Sequence, residues 1–502
     1  MKTLVRANVQ SEWRKPAEVL ELVATGFLFL FVLVQPLSIA AAQIAYSGAA
    51  LAWIVRLLLV RRGVLHGSPL DAPILIYWLL CVLSTLLSPL PGSSWEGMRK
   101  VSLVFIVLLV AHLVPSRRRA RQLIALLFFS GLVSVAAAGW EYAAGVGLHI
   151  LAVDPGTSFY RAGICNDDVL LRVDGRLLRR PEQFLAHLRA KPAGESLKLL
   201  VVHGGGIFIL KDAVPVILPA GDWPQADGVS MLGMRIETAR PARARAFYSH
   251  YVTYAMLLEL LAALAFGLWL ACPTPFSLTG FRFAGLFLAF VVALGATLTR
   301  AAWLALAFAC AVQIWMHFRR WSVRVFLPAF LLLALLGTNI AMHRWRGMGV
   351  IDLKDPGTDY RLLMWRDGLR LIREHPWFGV GMNVVRDAWW KFDLAAYKKY
   401  GDHWHFHSTP IQMAVEVGLL AFLAWVFLMV IYGMLLIRLV RRTRAEDPFV
   451  YGLALGILGG ACGFLVSSLA QYNFGDSVVV LLFWFLAGLA VALWRQVGET
   501  AA

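Results

Sequence analysis

His403-Trp-His-Phe-His-Ser-Thr-Pro410 sets three imidazoles at alternate positions, directly before an apolar run. In extended chain the three share one face. Three histidines can bind a metal, but no cysteine or separate ligand cluster supports a metal here. A single histidine at the mouth of a cavity serves instead as a general base near neutral pH. His407 is the candidate base, with His405 beside it. Gln412 and Glu416 follow, four apart on one helical face. With His407 they either line one polar wall or form a stripe that only packs against a neighbouring span.

The cationic candidates are arginines near the ends of apolar runs. Arg300 stands in Leu298-Thr-Arg-Ala-Ala-Trp-Leu304 with no acid beside it in sequence. An arginine at that depth is costly and pairs with an anion or faces a polar cavity. Its planar fork suits phosphate oxygens. The alternative is a side chain that snorkels to the lipid headgroups. Arg243 and Arg245 precede another run, in Arg240-Pro-Ala-Arg-Ala-Arg-Ala-Phe-Tyr-Ser-His250, and offer a second phosphate contact or an ordinary headgroup contact. Arg361 belongs to Asp359–Arg373, where Leu362, Trp365, Leu369 and Ile372 recur at helical spacing between basic residues. That pattern predicts a helix lying on the membrane or over a cavity. Gly379-Val-Gly381 then allows a close turn. Cations that suit a pyrophosphate and a histidine that activates a hydroxyl are the parts needed to move a glycan off a polyprenyl-pyrophosphate carrier.

The elements that must hold these residues are membrane helices. Of 502 residues, 59% are hydrophobic and 15% charged, against about 25% charged in soluble proteins. A soluble multidomain protein is excluded for most of the chain. The five cysteines include no Cys-x-x-Cys pair, so neither a disulfide framework nor a zinc ribbon is indicated. The net charge of +17 does not point to nucleic acid, because much of the excess flanks apolar runs, at Arg61-Arg62, Arg117-Arg118-Arg119, Arg319-Arg320 and Arg441-Arg442. Such clusters orient spans by the positive-inside rule.

About twelve runs reach the roughly 20 apolar residues that a span needs: near 18–38, 41–60, 71–90, 100–115, 120–143, 248–271, 281–298, 300–317, 323–341, 410–438, 448–470 and 475–495. The first reads as a retained anchor. An even count puts both termini in the cytoplasm with the basic clusters. The segments 144–247 and 342–409 and the turn at Arg300 then lie on the other side. The expected organisation is 1–143, five transmembrane helices; 144–240, an inserted module; 241–341, helices six to nine; 342–409, a catalytic loop; and 410–502, helices ten to twelve.

The insertion is a small α/β module. Ser196–His203 and Gly206–Leu210 read as strands, and Pro181–Arg189 as a helix. Gly145-Val-Gly-Leu-His-Ile150, Val153–Ser158, Arg161–Ile164 and Asp167–Gly175 resemble a PDZ domain of the bacterial type over about 70 residues. The resemblance puts the carboxylate loop on Gly145, Gly147 and Leu148. A nest of N–H groups there would bind a peptide C-terminus, with a strand added at the sheet edge. The alternative is a module that merely packs on the membrane part. Cys165-Asn166 stands where the family carries a Lys-Pro-Gly-like turn.

The membrane part resembles the O-antigen ligase and O-antigen polymerase superfamily, which includes bacterial protein O-oligosaccharyltransferases. His407-Ser-Thr-Pro-Ile-Gln412 leading to Glu416-Val-Gly418 is similar to its His-Asn/Ser segment and Glu-x-Gly helix. Thr299-Arg300-Ala-Ala-Trp303 resembles its Ser-Arg-Gly-x-Trp turn, and Arg361…Trp365…His375-Pro…Gly379-Val-Gly381 its Arg…Trp…His-Pro…Gly-x-Gly loop. Arg243–His250 resembles its Arg-x-x-Gly-x-x-x-Asn/His entry, with Ala246 in the glycine place, which leaves the choice between Arg243 and Arg245 open.

The resemblance implies an all-α polytopic GT-C-like protein of a bacterial inner membrane. It implies an inverting, metal-independent glycosyltransferase without a cofactor, working on the periplasmic face. Arg300 and Arg243 would hold the carrier pyrophosphate, and His407 would activate an acceptor hydroxyl. The expected partners are the polyprenyl-pyrophosphate-linked donor, a lipid, glycan or protein acceptor, membrane lipids and a peptide C-terminus, but no nucleic acid. The rival readings are a polymerase of the same family, a non-catalytic envelope-glycan scaffold and a transporter. A PDZ-bearing intramembrane protease lacks His-Glu-x-x-His and Gly-x-Ser-Gly.

Overall fold

The structure, a computed structural model, describes residues 14–60, 67–190, 196–202, 210–217, 230–231, 233–241, 243–318, 321–347, 349, 356–401 and 405–499. Arg61-Arg62, Arg319-Arg320, His403 and most of the expected strand at Gly206–Leu210 lie outside the described residues. The chain forms two compact units, one of 1–134 with 247–502 and one of 135–246.

The larger unit is helical. In chain order it holds α1 (Arg14–Val34), α2 (Ile39–Val60), α3 (Asp71–Leu86), α4 (Pro91–Val101), α5 (Ile106–Leu113) and most of α6 (Arg117–Ala144). After the insertion come α7 (Tyr251–Leu270), α8 (Leu278–Ala296), α9 (Arg300–His317), α10 (Trp321–Arg346) and α11 (Pro356–Glu374). The unit closes with α12 (Thr409–Thr443), α13 (Pro448–Ser467) and α14 (Ser477–Glu499). Every expected apolar run is helical. Among the described residues nine helices are long and apolar enough to cross a membrane. The other three expected spans fall short for visible reasons. α3 has only 16 residues. The run near 100–115 is broken by a 3-10 turn at Ser102–Phe105 between α4 and α5. α9 carries Arg300, Gln313 and His317 within its 18 residues.

Close backbone approach holds part of this body together. A Cβ on Gly267 of α7 would meet the Gly456 nitrogen of α13 at 2.5 Å and the Gly452 oxygen at 2.6 Å. Small residues at such crossings are how helices pack where lipid gives no hydrophobic drive.

α12 is broken rather than continuous. Gly418 takes φ 75° and ψ 172°, a conformation essentially confined to glycine. The break would strand polar backbone inside the membrane body, which is costly there. The loop after α11 takes it up. Val380 N–H donates to the Val415 carbonyl and Gly381 N–H to the Glu416 carbonyl, each at 2.9 Å, and Leu419 N–H donates to the Pro376 carbonyl at 2.7 Å. The fit leaves no room for a side chain: a Cβ on Gly418 would run into the Trp377 carbonyl, 2.5 Å from its carbon, and one on Gly379 would lie 2.5 Å from the Val415 oxygen.

α11 packs inward through a face other than the Leu362–Leu369 stripe, which is expected to lie on the membrane or over a cavity. Met364, Asp367 and Leu371 are buried, whereas Leu362 and Leu369 are exposed. Gly368 sits against Phe406 and Ile411, where a Cβ would crowd both. Its partner is therefore the segment leading into α12, with Val380, Val384, Leu394, Phe406 and Val415 in one apolar cluster. Asp367 accepts from Ala396 N–H at 3.1 Å, while Lys399 and Tyr400 bond Asp359 at 2.7 and 2.5 Å.

Among its described residues the second unit contains an antiparallel sheet of seven strands: β1 (Leu148–Val153), β2 (Val169–Val173), β3 (Arg176–Leu177), β4 (Ser196–Val202), β5 (Leu210–Ile217), β6 (Ser230–Met231) and β7 (Met234–Thr238). The order is β5-β4-β2-β1-β7-β6, with β3 on β2. Leu148, Ile150, Leu170, Leu197, Leu199 and Ile236 point to one core with Phe159 and, from the helix Pro181–Arg189, Phe184 and Leu188. The unusual Cys165-Asn166 turn satisfies itself: Asn166 Oδ1 accepts from Val153 N–H at 2.9 Å, and Asp168 Oδ2 from Cys165 N–H at 2.7 Å.

Candidate functional site

A cavity of about 510 Å³ opens in the helical unit. It gathers Arg361, His405, His407, Gln412 and Glu416, which come from α11, from the loop before α12 and from α12 itself. Lys100 of α4, Asn383 and Arg386 of the loop after α11, His250 at the start of α7, and Tyr472 and Asp476 between α13 and α14 complete its polar wall. Ile39, Val252 and Met256 form an apolar side. Lys100, Arg361 and Arg386 thus share one space with Glu416 and Asp476.

The histidines are held by the sequence around them. The chain enters α12 through Ser408, extended at φ −154°, and Pro410 in the first turn. A proline is tolerated there because no intrahelical donor is lost. Thr409 ties this start to the α13–α14 connection: its N–H donates to the Ser468 carbonyl at 2.8 Å, its Oγ1 donates to the Gln471 carbonyl at 3.0 Å, and Asn473 N–H donates to Thr409 Oγ1 at 3.1 Å. Gln412 reaches back, its Oε1 accepting from Phe406 N–H at 2.7 Å. Phe406 is fully buried. His407 then takes a left-handed backbone at φ 49°, rare for a side-chain-bearing residue and costing about 1–3 kcal/mol. Its ring packs edge-on to Tyr360, with centroids 5.6 Å apart.

His405 Nδ1 accepts from His407 N–H at 3.2 Å. Burial pushes the His405 ring down to about 4 against the opposing pull of its own backbone carbonyl, and the nearby charges of His250, Arg361 and Lys100 act in the same direction as burial. It is neutral at ordinary pH. Glu416 is buried, and its Oε1 accepts from Asn383 N–H at 2.9 Å. Tyr472 Oη donates to Glu416 Oε2 at 3.4 Å, and burial holds the phenol well above its usual range, so it remains a donor. Arg386 grips Asp387 through two bonds of 2.6 and 3.2 Å. That pairing holds the Asp387 carboxyl below its usual range. Asp476 accepts from the Thr253 hydroxyl and from Val478 N–H, capping α14.

Arg300 is not among the residues lining this cavity. Its Nη1 donates to the Gly349 carbonyl at 2.6 Å. Arg243 and Arg245 belong to the other unit. Among the described residues no group of three His, Cys, Asp or Glu side chains is arranged to hold a metal ion, and His403 lies outside them.

The peptide nest expected at Gly145, Gly147 and Leu148 does not form. Gly145 N–H donates to the Glu141 carbonyl at 3.0 Å, Val146 N–H to Ala239 at 2.8 Å and Gly147 N–H to Leu178 at 2.8 Å. All three donors are spent inside the fold, and the loop is buried. β1 also has a strand on each side, β2 and β7. Gly145, Val146 and Gly147 thus offer a peptide no N–H, and β1 offers it no edge.

Sequence reasoning missed Lys100, Arg386, Tyr472 and Asp476. Lys100 closes an Arg-Lys pair that reads as an orienting flank of an apolar run. Arg386 is followed by an acid and reads as a surface pair. The usable signal lay in Gln471-Tyr-Asn-Phe-Gly-Asp476, a polar knot between two spans on the same side as His407.

Comparison with known proteins agrees with this division. Residues 284–426 match the family described as O-antigen ligase. The match contains Arg300, Arg361, both histidines, Gln412, Glu416 and Gly418. Residues 149–202 match a PDZ domain. The magnetosome formation protease MamE of Magnetospirillum gryphiswaldense is 30% identical over 121 residues, covering 19% of this chain and 16% of that protein. The chain thus spans a small part of that relative. It is a multi-pass membrane protein with one segment that matches the O-antigen ligase family and, ahead of it, one that matches a PDZ domain.

Proposed function

We propose that the protein transfers a glycan from a polyprenyl-pyrophosphate carrier to an acceptor hydroxyl, on the periplasmic face of a bacterial inner membrane and with both termini in the cytoplasm. The observation that carries this reading is the cavity that gathers Arg361, Lys100 and Arg386 around His407, beside an apolar side at Ile39 and Met256. Cations suit the pyrophosphate, and apolar residues suit the first isoprene units.

In the proposed step His407 takes the proton of the acceptor hydroxyl as its oxygen attacks the anomeric carbon. The carbon–oxygen bond to pyrophosphate breaks and its electron pair leaves with the phosphate. Attack from the face opposite the leaving group inverts the anomeric centre. Charge grows on the departing oxygen, so preorganised cations favour the transition state over the ground state. No metal is required for that charge balance. Glu416 and Gln412 hold the loops that carry the reacting groups. Arg300 is retained as a further carrier-phosphate contact at the α8–α9 turn, and Arg243 or Arg245 as another.

The PDZ domain favours a peptide or protein partner. Its peptide edge would be the outer side of β7. Among the described residues β6 pairs there with Arg235 and Met234. Ala239 turns both its N–H and its carbonyl toward the β1 side, so Ile236 and Thr238 direct theirs outward by strand alternation.

The test is the glycan profile of a host lacking the gene, complemented with wild type or His407→Ala. Lipid-linked, protein-linked and free glycan are followed together. Loss of one conjugate that only wild type restores supports transfer and names the acceptor. Full restoration by His407→Ala overturns the catalytic assignment in favour of a scaffold or a transporter.

A further inference from the structure

Two consecutive amides of the loop entering α12 are held by side chains. Phe406 N–H donates to Gln412 Oε1 at 2.7 Å, and His407 N–H to His405 Nδ1 at 3.2 Å. The first bond anchors the loop to the helix it precedes. The second acts one residue later, where the chain turns left-handed at His407. The two imidazoles then meet edge to face, with centroids 4.1 Å apart and planes at 70°.

The second bond has a chemical requirement. Nδ1 of His405 must offer a lone pair, so its proton must sit on Nε2 and the ring must be neutral. A protonated ring has no acceptor at all. We propose that His405 is a positioning residue for His407: as a neutral acceptor it fixes the left-handed turn that presents the His407 imidazole to the cavity. This rests on the reading of His407 as the base.

The surroundings serve that requirement. Tyr472 from the α13–α14 connection packs against His405, with ring centroids 5.8 Å apart. The charged and titratable groups sharing the cavity with it are Lys100, Arg361 and Arg386 on the cationic side, His250 and His407, and Glu416 and Asp476 on the acidic side. Lys100, Arg361 and His250 each disfavour a cation on His405, in the same direction as burial. A second positive ring beside His407 would also oppose its protonation during transfer.

The test uses the full chain in nanodiscs with three variants, His405→Asn, His405→Gln and His405→Phe. The Asn oxygen falls near the place of Nδ1, whereas the Gln oxygen and the Phe edge do not. His405→Asn is expected within about threefold of wild-type kcat, and Gln and Phe to lose about tenfold to a hundredfold, with KM for the donor unchanged. Wild-type kcat in His405→Phe overturns the proposal. So does an Asn variant as slow as Phe whose thermal midpoint matches wild type. Histidine ¹⁵N spectra give an answer free of activity: wild type should show the neutral Nε2–H form of His405 at pH 5.5, and a cation or the Nδ1–H form overturns it. If wild type transfers no glycan, the transferase reading fails, while the spectra still judge the pair.

Discussion

Lys100 and Arg361 line one cavity with Glu416 and Asp476, while Arg386, on the same wall, is bonded to Asp387; Lys100 and Arg361 are the cations that suit a pyrophosphate. Arg361→Ala should cost about a hundredfold in kcat/KM, the usual loss when one preorganised charge is removed from a transition state. Arg361→Lys should recover only part, because an ammonium lacks the two-pronged fork. Steady-state transfer rates check both. The neutral His405 also has a stability signature. Its unfolded ring titrates near 6.5 and its folded ring near 4. Between those values the unfolded chain binds a proton that the folded protein refuses, so stability falls as pH drops from about 6.5 to about 4, by roughly 3 kcal/mol. Below about 4 both states are protonated and this contribution changes no further. Thermal midpoints of wild type against His405→Asn across that range read the difference, and parallel curves would contradict it. His407, Gln412 and Glu416 were legible because a histidine beside a polar helical face is a local pattern. Lys100 and Asp476 were not, since what brings them to the cavity is the packing of distant helices.

At the scale of elements the decisive feature is the broken α12. The Glu416-Val-Gly418 and Gly379-Val-Gly381 patterns are visible in sequence as two separate glycine signals. Nothing local says that they answer one another, the loop supplying N–H groups to the carbonyls of Val415 and Glu416. Gly418→Ala puts a methyl group against the Trp377 carbonyl, 2.5 Å from its carbon, on a backbone that only glycine adopts readily. It should lower stability by several kcal/mol or prevent folding, read as the yield of monodisperse protein and its thermal midpoint. A Gly418→Ala variant as stable as wild type would contradict the packing. α11 also has an inward face that apolar periodicity does not mark. Leu362, Trp365, Leu369 and Ile372 are spaced as one helical face, yet Met364, Asp367, Gly368 and Leu371 turn inward. Gly368 and Asp367 are preferred there because a small residue admits Phe406 and a carboxylate caps the Ala396 amide, neither of which a hydrophobic count detects.

The whole molecule divides into a helical body and an inserted domain. That division was legible from composition alone, because a polar, strand-forming stretch between spans cannot lie in lipid. The ligand edge was not legible. Gly145 and Gly147 have the spacing of a carboxylate loop, but Ala239 and Leu178, far away in sequence, consume their region's donors. Removing 148–238 should leave donor binding within about twofold and shift or abolish acceptor use, since every residue lining the cavity lies outside that segment. Loss of donor binding on that deletion, in a protein that still purifies monodisperse, would contradict the separation of roles.

The central claim is that the His407 cavity is where glycan leaves its carrier. The most direct measurement is single-turnover transfer in nanodiscs, from a labelled polyprenyl-pyrophosphate glycan to the acceptor identified by the glycan profile. Carrier binding is measured on the same samples. The account predicts that His407→Ala binds carrier as wild type does and releases no polyprenyl pyrophosphate. A His407→Ala protein that releases it at the wild-type rate would contradict the account.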